Sequence, residues 1–422
     1  MKKLSSWAAV FLIAAGFLLR WQLEAGAVEP AVAVTPATNA VAQAKQLNAR
    51  RYLEGEVEKV RGLKFLRPIQ YATMQTKDLR GFLIEKMRQE YSSAELRDYG
   101  RSLAMVGLVP EDLDFEATMM EVLGEQVAAL YDQDSARLYT FSDSTLTGNM
   151  DRMILAHEMT HALQDQHYEI KKWPIRRKDN DDLISAHMAV LESDATVIMT
   201  RIFVRTMDWA TALTDIGSTL LQNVEKFEGA PRYFREMLLF PYQEGMGFLM
   251  QIESQGGVKA VAEAFSKPPT CTAQVLHPER FYPKREEPVA VEPAAEPSPR
   301  WRLLTKNVVG EFGVTVLLRD FGYGQRAPGI AAGWRGDRYV TYDTGDGTGM
   351  LWWRSAWSSN AAACKFADAY KDIVAKRNSL RKTPLGLQAA VNERTVDIML
   401  CVPPTPGAKK PGSAVKTSGG AK

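Results

Sequence analysis

Histidine and cysteine are the scarce residues of this chain, five and three among 422. Cys271, Cys364 and Cys401 show no Cys-x-x-Cys spacing, which excludes a cysteine-based zinc ribbon. One disulfide with a thiol left over is compatible with an oxidising compartment, but buried small apolar residues are the favoured reading. An excess of one charge is missing too. The formal net charge is only +2, so no basic field points to a nucleic acid, and none is expected as a partner. Long apolar runs are also absent. Residues 7–19 form an apolar run that is short for a bilayer. There is no internal repeat. What remains is ordinary, with 45% hydrophobic and 24% charged residues, enough to bury a sizeable core.

The N-terminus has the form of an export signal. Lys2 and Lys3 precede the apolar run, and Ala25-Gly26-Ala27 follows as a cleavage site. No cysteine follows the run, which argues against a lipid-modified N-terminus. The expected organisation is a signal peptide at 1–27 and a flexible spacer at 28–48. A main domain follows at 49–283, then a Pro/Glu-rich linker or surface excursion at 284–300. A C-terminal α+β unit at 301–402 and a disordered basic tail at 403–422 complete the chain. The protein is expected outside the cytoplasm, in the periplasm, the envelope or the medium. Membrane anchoring is expected only if the N-terminal apolar segment is retained.

Periodicity places a strand-like core within 62–73 and helical spacing over 77–106. A further helix is expected at 110–125, opened by Pro110. Two short β-prone runs, 126–131 and 137–141, flank turn residues and read as a hairpin. Asp151 is positioned to cap the next helix, residues 152–167. A polar loop then leads to a helix at 183–207. Further helices are expected at 211–227, 233–240, 246–253 and 258–265. The C-terminal unit reads as a helix at 308–319, a hairpin (338–342 and 351–356), a helix at 360–377 and a strand at 396–402.

Two of the five histidines lie in His157-Glu158-Met159-Thr160-His161 on the helix that follows the hairpin. Residues four apart on a helix lie on one face, about 40° apart. Both imidazoles can therefore reach one ion, and zinc takes such nitrogens. Glu158 lies about 100° round from His157 and is placed to take a proton from a water at the metal. The flanking Ile154, Leu155, Ala156, Met159, Thr160, Ala162 and Leu163 are all uncharged, as a buried active-site helix requires.

A third ligand is needed, and two residues compete. His167 has the spacing of His-Glu-x-x-His-x-x-Gly-x-x-His, but Gln164 stands where glycine would end the helix. If the helix continues, His167 lies about 240° round and roughly 9 Å along from His161. Glu192, on the next helix, is the favoured alternative. Asp194 turns to the other side of that helix and reads as a supporting or capping carboxylate. His187 is off the ligand face.

The run from His157 to His167, with Ala162-Leu163-Gln164-Asp165-Gln166-His167 after the motif, resembles a group of exported bacterial gluzincin-like proteins. In these the motif continues as ALQDQH and is followed by an E-G-D-A segment. The resemblance takes in Glu125 to Ala128, Tyr131-Asp132, residues 177–182, Gln274 to Pro278 and Gly333 to Tyr339. It covers most of the chain from about Gly62 to Ala369. Ser193 stands where glycine is usual, and Ala273 where glutamate is usual. The resemblance implies an α+β, zincin-like (gluzincin) fold, mainly helical, with a small antiparallel sheet beside the motif helix. It also implies Zn2+ held by His157, His161 and Glu192, with Glu158 as catalytic base.

The expected function is that of an exported zinc metallopeptidase acting on a protein or peptide. The alternatives are a catalytically silent zinc-binding envelope scaffold, or a zinc amidase acting on cell-wall peptides. The hairpin offers an edge strand on which an extended peptide can pair. Tyr242 and His277 are candidate donors to the developing oxyanion. The tryptophans of the C-terminal unit read as core. Asp343 to Gly349 reads as a hairpin turn, since no glutamate follows at calcium-loop spacing.

Overall fold

The computed structural model describes residues 40–124, 129–141, 148–206 and 230–404. The expected signal peptide, the helix at 211–227 and the tail beyond 404 lie outside the described residues, as does the first half of the first hairpin run. Among the described residues no helix is long and apolar enough to cross a membrane. The chain is α+β and divides into two units. One takes the described residues up to Gly100 together with Asp112–Pro288; the other takes Arg101–Glu111 and the residues from Val289 onward.

The first unit begins with α1 (Ala40–Arg61) and β1 (Gln70–Met74). α1 starts inside the stretch expected to be a spacer. The single helical region expected over 77–106 is two helices, α2 (Thr76–Glu90) and α3 (Ser93–Val106). Tyr91 breaks them apart with extended backbone. α4 (Phe115–Gly124) starts later than Pro110. Asp114 opens it, its Oδ1 accepting the Ala117 N–H at 3.0 Å. β2 (Ala129–Asp132) and β3 (Arg137–Phe141) form the expected antiparallel hairpin. β1 joins the far side of β3 in parallel, giving the order β1-β3-β2 and a mixed sheet.

α5 (Asn149–Tyr168) carries the motif. Its N-cap is Gly148, not Asp151, which sits within the first turn as a favourable acid. α6 (Asp181–Thr206) follows. Asn180 caps it, accepting the Leu183 N–H at 3.0 Å. The three short helices expected over 233–265 are one element, α7 (Arg232–Ser266), kinked at Gly257 (φ 60°, ψ −152°). A short α8 (Thr272–Leu276) closes against α6, where the Asp182 carboxylate accepts the Thr272 N–H at 3.1 Å. Gly245 lets α7 approach α6 closely, since a Cβ there would sit 2.7 Å from the Ala189 carbonyl oxygen. The core beneath α5 joins Leu53 and Val57 of α1 to Tyr131, Leu138, Leu155, Met159, Leu163, Ile198 and Ile202. Leu155, Met159 and Leu163 are apolar positions in and around the motif, so the uncharged helix is buried as its composition requires.

The second unit is a five-stranded antiparallel sheet in the order β4-β5-β6-β8-β7. Its elements are β4 (Arg302–Asn307), α9 (Gly310–Asp320), α10 (Ala327–Ala331), β5 (Trp334–Asp343), β6 (Gly349–Trp357), α11 (Asn360–Ser379), β7 (Gly386–Asn392) and β8 (Thr395–Val402). β4 and β7 are the strands that local pattern did not reveal. Trp334, Trp353 and Trp357 are buried, with Trp353 and Trp357 against Phe366 of α11. Trp352 faces the other way and meets Trp301 and Tyr342. Asp343–Gly349 is a hairpin turn: Asp346 accepts from Thr344 Oγ1 and from the Thr348 N–H. The Pro/Glu-rich stretch has no regular structure. Val289 N–H donates to the Arg335 carbonyl at 2.6 Å, and Arg354 Nη1 donates to the Glu292 carbonyl at 3.1 Å. That part of the stretch is a strap tied to the sheet.

Candidate metal centre

α5 runs unbroken through the motif, so His157 and His161 share a face as their spacing requires. Across from them α6 presents Glu192. His157 Nε2 lies 3.2 Å from Glu192 Oε2 and 3.0 Å from His161 Nε2, and His161 Nε2 lies 3.7 Å from the same Glu192 oxygen. Tetrahedral zinc with bonds near 2.0–2.1 Å needs its donor atoms about 3.3 Å apart. The three donor atoms therefore already stand at the spacing of one face of such a tetrahedron. Glu192 Oε1 is buried without a hydrogen-bond partner among the described residues, as is His157 Nδ1. Two imidazole nitrogens and a carboxylate form a borderline donor set that suits zinc better than magnesium or calcium, which prefer all-oxygen sites.

A second triad shares the histidine pair. Ligand atoms of His157, Glu158 and His161 lie within 4.8 Å of one another, and all three residues are buried. The Glu192 set is the tighter, and the Glu158 carboxylate has another attachment: its Oε2 accepts the Tyr131 backbone N–H of β2 at 2.7 Å. Glu158 is thus held beside the histidine pair by the sheet.

The electrostatics follow from burial. Glu192 is 0% exposed, and burial disfavours its charge; the two imidazoles nonetheless hold its carboxyl down to about 2. Burial likewise disfavours charge on His161, but Glu192 and Glu158 raise it to about 9. Glu158 is pushed up from the usual carboxylate range by burial, against the pull of both histidines and the Tyr131 N–H. A raised carboxyl beside a cation site has the basicity that a general base needs.

The remaining expected residues fall as follows. His167 is half-buried and its Nε2 lies 2.7 Å from the Lys64 carbonyl; the helix continues to Tyr168, which keeps His167 from the cluster. His187 is buried and its Nδ1–H donates to the Leu183 carbonyl at 2.8 Å. Tyr242 is buried on α7 in a small cluster with Met199, against which Met153 packs. His277 ends the five-residue α8, with Nδ1 3.8 Å from Glu279. The metal-competent group of His157, Glu158 and His161 does not include His277. Cys271, Cys364 and Cys401 form no disulfide among the described residues.

Sequence reasoning missed what stands behind His161. Its Nδ1 lies 2.9 Å from Gln164 Oε1. Gln164 Nε2 donates to the Leu191 carbonyl and to Asp194 Oδ2, each at 3.0 Å. Asp194 is in turn paired with Arg61 Nε at 3.0 Å. The i, i+3 spacing of His161 and Gln164 was the available signal, since such neighbours touch on a helix.

Residues 301–398 match the model of a domain of unknown function, DUF8575. The comparison with curated proteins gave no match. Among solved structures, the chain is similar to a crystal structure from Chloroflexus aurantiacus described as "a putative hydrolase with a novel fold", at 18% identity and a TM-score of 0.38. That similarity covers 65% of this chain and 96% of the other. The family match lies within the second unit, and the chemistry of the first rests on its own residues.

Proposed function

We propose that this chain is an exported zinc metallopeptidase of gluzincin type, with His157, His161 and Glu192 as ligands and Glu158 as general base. The observation that carries the reading is the convergence of His157 Nε2, His161 Nε2 and Glu192 Oε2 at 3.0–3.7 Å. A zinc ion held there would supply Lewis acidity and would acidify a water near neutral pH. Glu158 would be the base for that water's proton and would pass it to the leaving amine.

The substrate is a protein or peptide in extended form. Tyr131 directs its N–H to Glu158, so this edge of β2 runs past the base. Residues added along that edge by strand pairing come to lie beside Glu158 and the ligands. Of the two candidate oxyanion donors, Tyr242 is preferred to His277, because its Met153 neighbour is one helical turn from His157. Tyr242→Phe is expected to lower kcat by about 10²–10³ with little change in KM; an unchanged kcat removes Tyr242 from the reaction.

The decisive experiment assays purified protein against a mixed peptide library, beside Glu158→Gln, with zinc measured in parallel. Cleavage by the wild type that Glu158→Gln abolishes while retaining zinc supports the reading. Full zinc with no cleavage of any peptide overturns it in favour of a silent scaffold. Turnover confined to cell-wall peptides moves it to an amidase. Zinc stoichiometry in Glu192→Ala and His167→Ala tests the ligand set, and an empty site in His167→Ala alone overturns the assignment.

A further inference from the structure

The hydrogen bonds behind His161 have only one consistent direction. Gln164 Nε2 faces the Leu191 carbonyl and the Asp194 carboxylate, each at 3.0 Å. Both are acceptors only, so the amide nitrogen must be on that side and cannot exchange places with Oε1. Oε1 therefore faces His161 Nδ1 at 2.9 Å, where it can only accept. Nδ1 must carry a proton, and Nε2 is the atom left to bind a metal. The orientation is held in turn by Asp194, 2% exposed, whose two oxygens each lie 3.0 Å from Arg61 Nε.

Arg61 is the last residue of α1. Its guanidinium also lies 3.3 Å from the Tyr168 hydroxyl at the end of α5, and 5.3 Å over the ring of Phe265. α1 is bound to the same core by Leu53 and Val57, both buried with Met159 and Leu163 of the motif helix. Nothing comparable holds the other histidine, because His157 Nδ1 has no hydrogen-bond partner among the described residues.

We infer that Gln164, Asp194 and Arg61 are positioning residues that fix His161 to bind metal through Nε2, and that α1, through Arg61, is a working part of the metal centre. The inference rests on the zinc site proposed above. It also bears on processing: a segment that closes this relay is not a removable leader, so maturation by cutting away α1 would weaken the site rather than activate it. The two histidines are held unequally: His161 Nδ1 has Gln164 as a fixed partner, and His157 Nδ1 has none among the described residues.

The test measures zinc affinity of the full chain by competition with a chromophoric chelator, for the wild type, Gln164→Met, Arg61→Gln and Arg61→Lys. Far-UV circular dichroism of each variant establishes that it is folded. Loss of an outer partner of a metal-bound histidine weakens affinity about 10–100-fold. Gln164→Met is expected in that range and Arg61→Gln at about tenfold, with Arg61→Lys recovering most of the loss. Cadmium-113 exchange with nitrogen-15 histidine labelling supplies a readout that a purely structural role would not move. The metal–nitrogen coupling is expected on His161 Nε2, with a slowly exchanging Nδ1 proton that becomes fast in Gln164→Met. If Gln164→Met loses its native spectrum, the Arg61 pair carries the test. Wild-type affinity in folded Gln164→Met and Arg61→Gln overturns the inference while leaving the zinc site standing. A wild-type chain that takes up no zinc overturns both.

Discussion

A buried carboxylate has to be met by positive charge or by N–H donors, and this chain uses both solutions. Glu192 is met by two imidazoles. Asp337 of β5 is met by four N–H groups: the backbones of Val309 and Gly310 and the indoles of Trp334 and Trp353, at 2.8–2.9 Å. Burial raises the Asp337 carboxyl, and those four donors pull against it. Asp337→Leu leaves four buried donors unmatched and is expected to cost about 3–5 kcal/mol of stability. Urea unfolding followed by tryptophan fluorescence measures this, and a loss under 1 kcal/mol would show that the donors find other partners.

His187 gives the residue scale its pH dependence. Burial lowers it to about 4, against the bond to the Leu183 carbonyl. Above the unfolded value near 6.5 neither state binds this proton. Below it the unfolded chain does and the folded chain does not, so stability falls as pH drops from about 6.5 to about 4. The full effect is roughly 3 kcal/mol. His187→Gln should flatten that part of the profile of urea midpoint against pH. His167→Ala, by contrast, should stay within about 0.5 kcal/mol of wild type, because its contact with Lys64 is exposed.

Among the elements, α6 and α7 approach each other closely. A Cβ on Gly245 would lie 2.7 Å from Ala189 O and 3.2 Å from Ala189 Cα, which are backbone atoms that cannot rotate away. Gly245→Ala is expected to cost about 1–3 kcal/mol. Ala189 is three residues before Glu192, so zinc affinity should fall as well. Equal zinc affinity in the folded variant would show that α6 absorbs the shift without moving its ligand. Elements with strong local signals were legible in the sequence. The hairpin, α5, α6, α11 and the β5–β6 hairpin have clear periodicity and turn chemistry. α1 was not legible: Leu53 and Val57 are its buried pair in the core, while Leu47 and Tyr52 are exposed, too thin a stripe for periodicity to find. β4 was missed because its partner β5 follows only after α9 and α10 and its own burial is partial; β7 adjoins β8 through the turn at Glu393-Arg394, but its residues are only exposed or half-buried, which leaves a weak local signal.

Over the whole molecule, zinc is expected to couple to stability. A ligand that binds only the folded state adds about 2.7 kcal/mol at a free concentration one hundred times its Kd. A chelator should therefore lower the Tm, and His157→Ala should remove the difference between chelated and zinc-loaded samples. An identical Tm with and without chelator in the wild type would argue against a bound ion.

Helix geometry let the sequence determine the HEMTH pair unaided: two histidines four apart on an uncharged helix must face one way. The absence of glycine at Gln164 kept that helix intact and His167 away from the pair. Tertiary structure alone decided that Glu192 Oε2 meets both Nε2 atoms, that Tyr131 holds Glu158, and that β1 pairs with β3 in parallel. It also made Gln164 more than a helix former, placing its amide between His161 and Asp194, with Arg61 behind. The reason is distance along the chain. Local pattern reports neighbours within a turn or a strand, whereas the Arg61–Asp194 contact spans 133 residues and exists only once α1, α5 and α6 share a core.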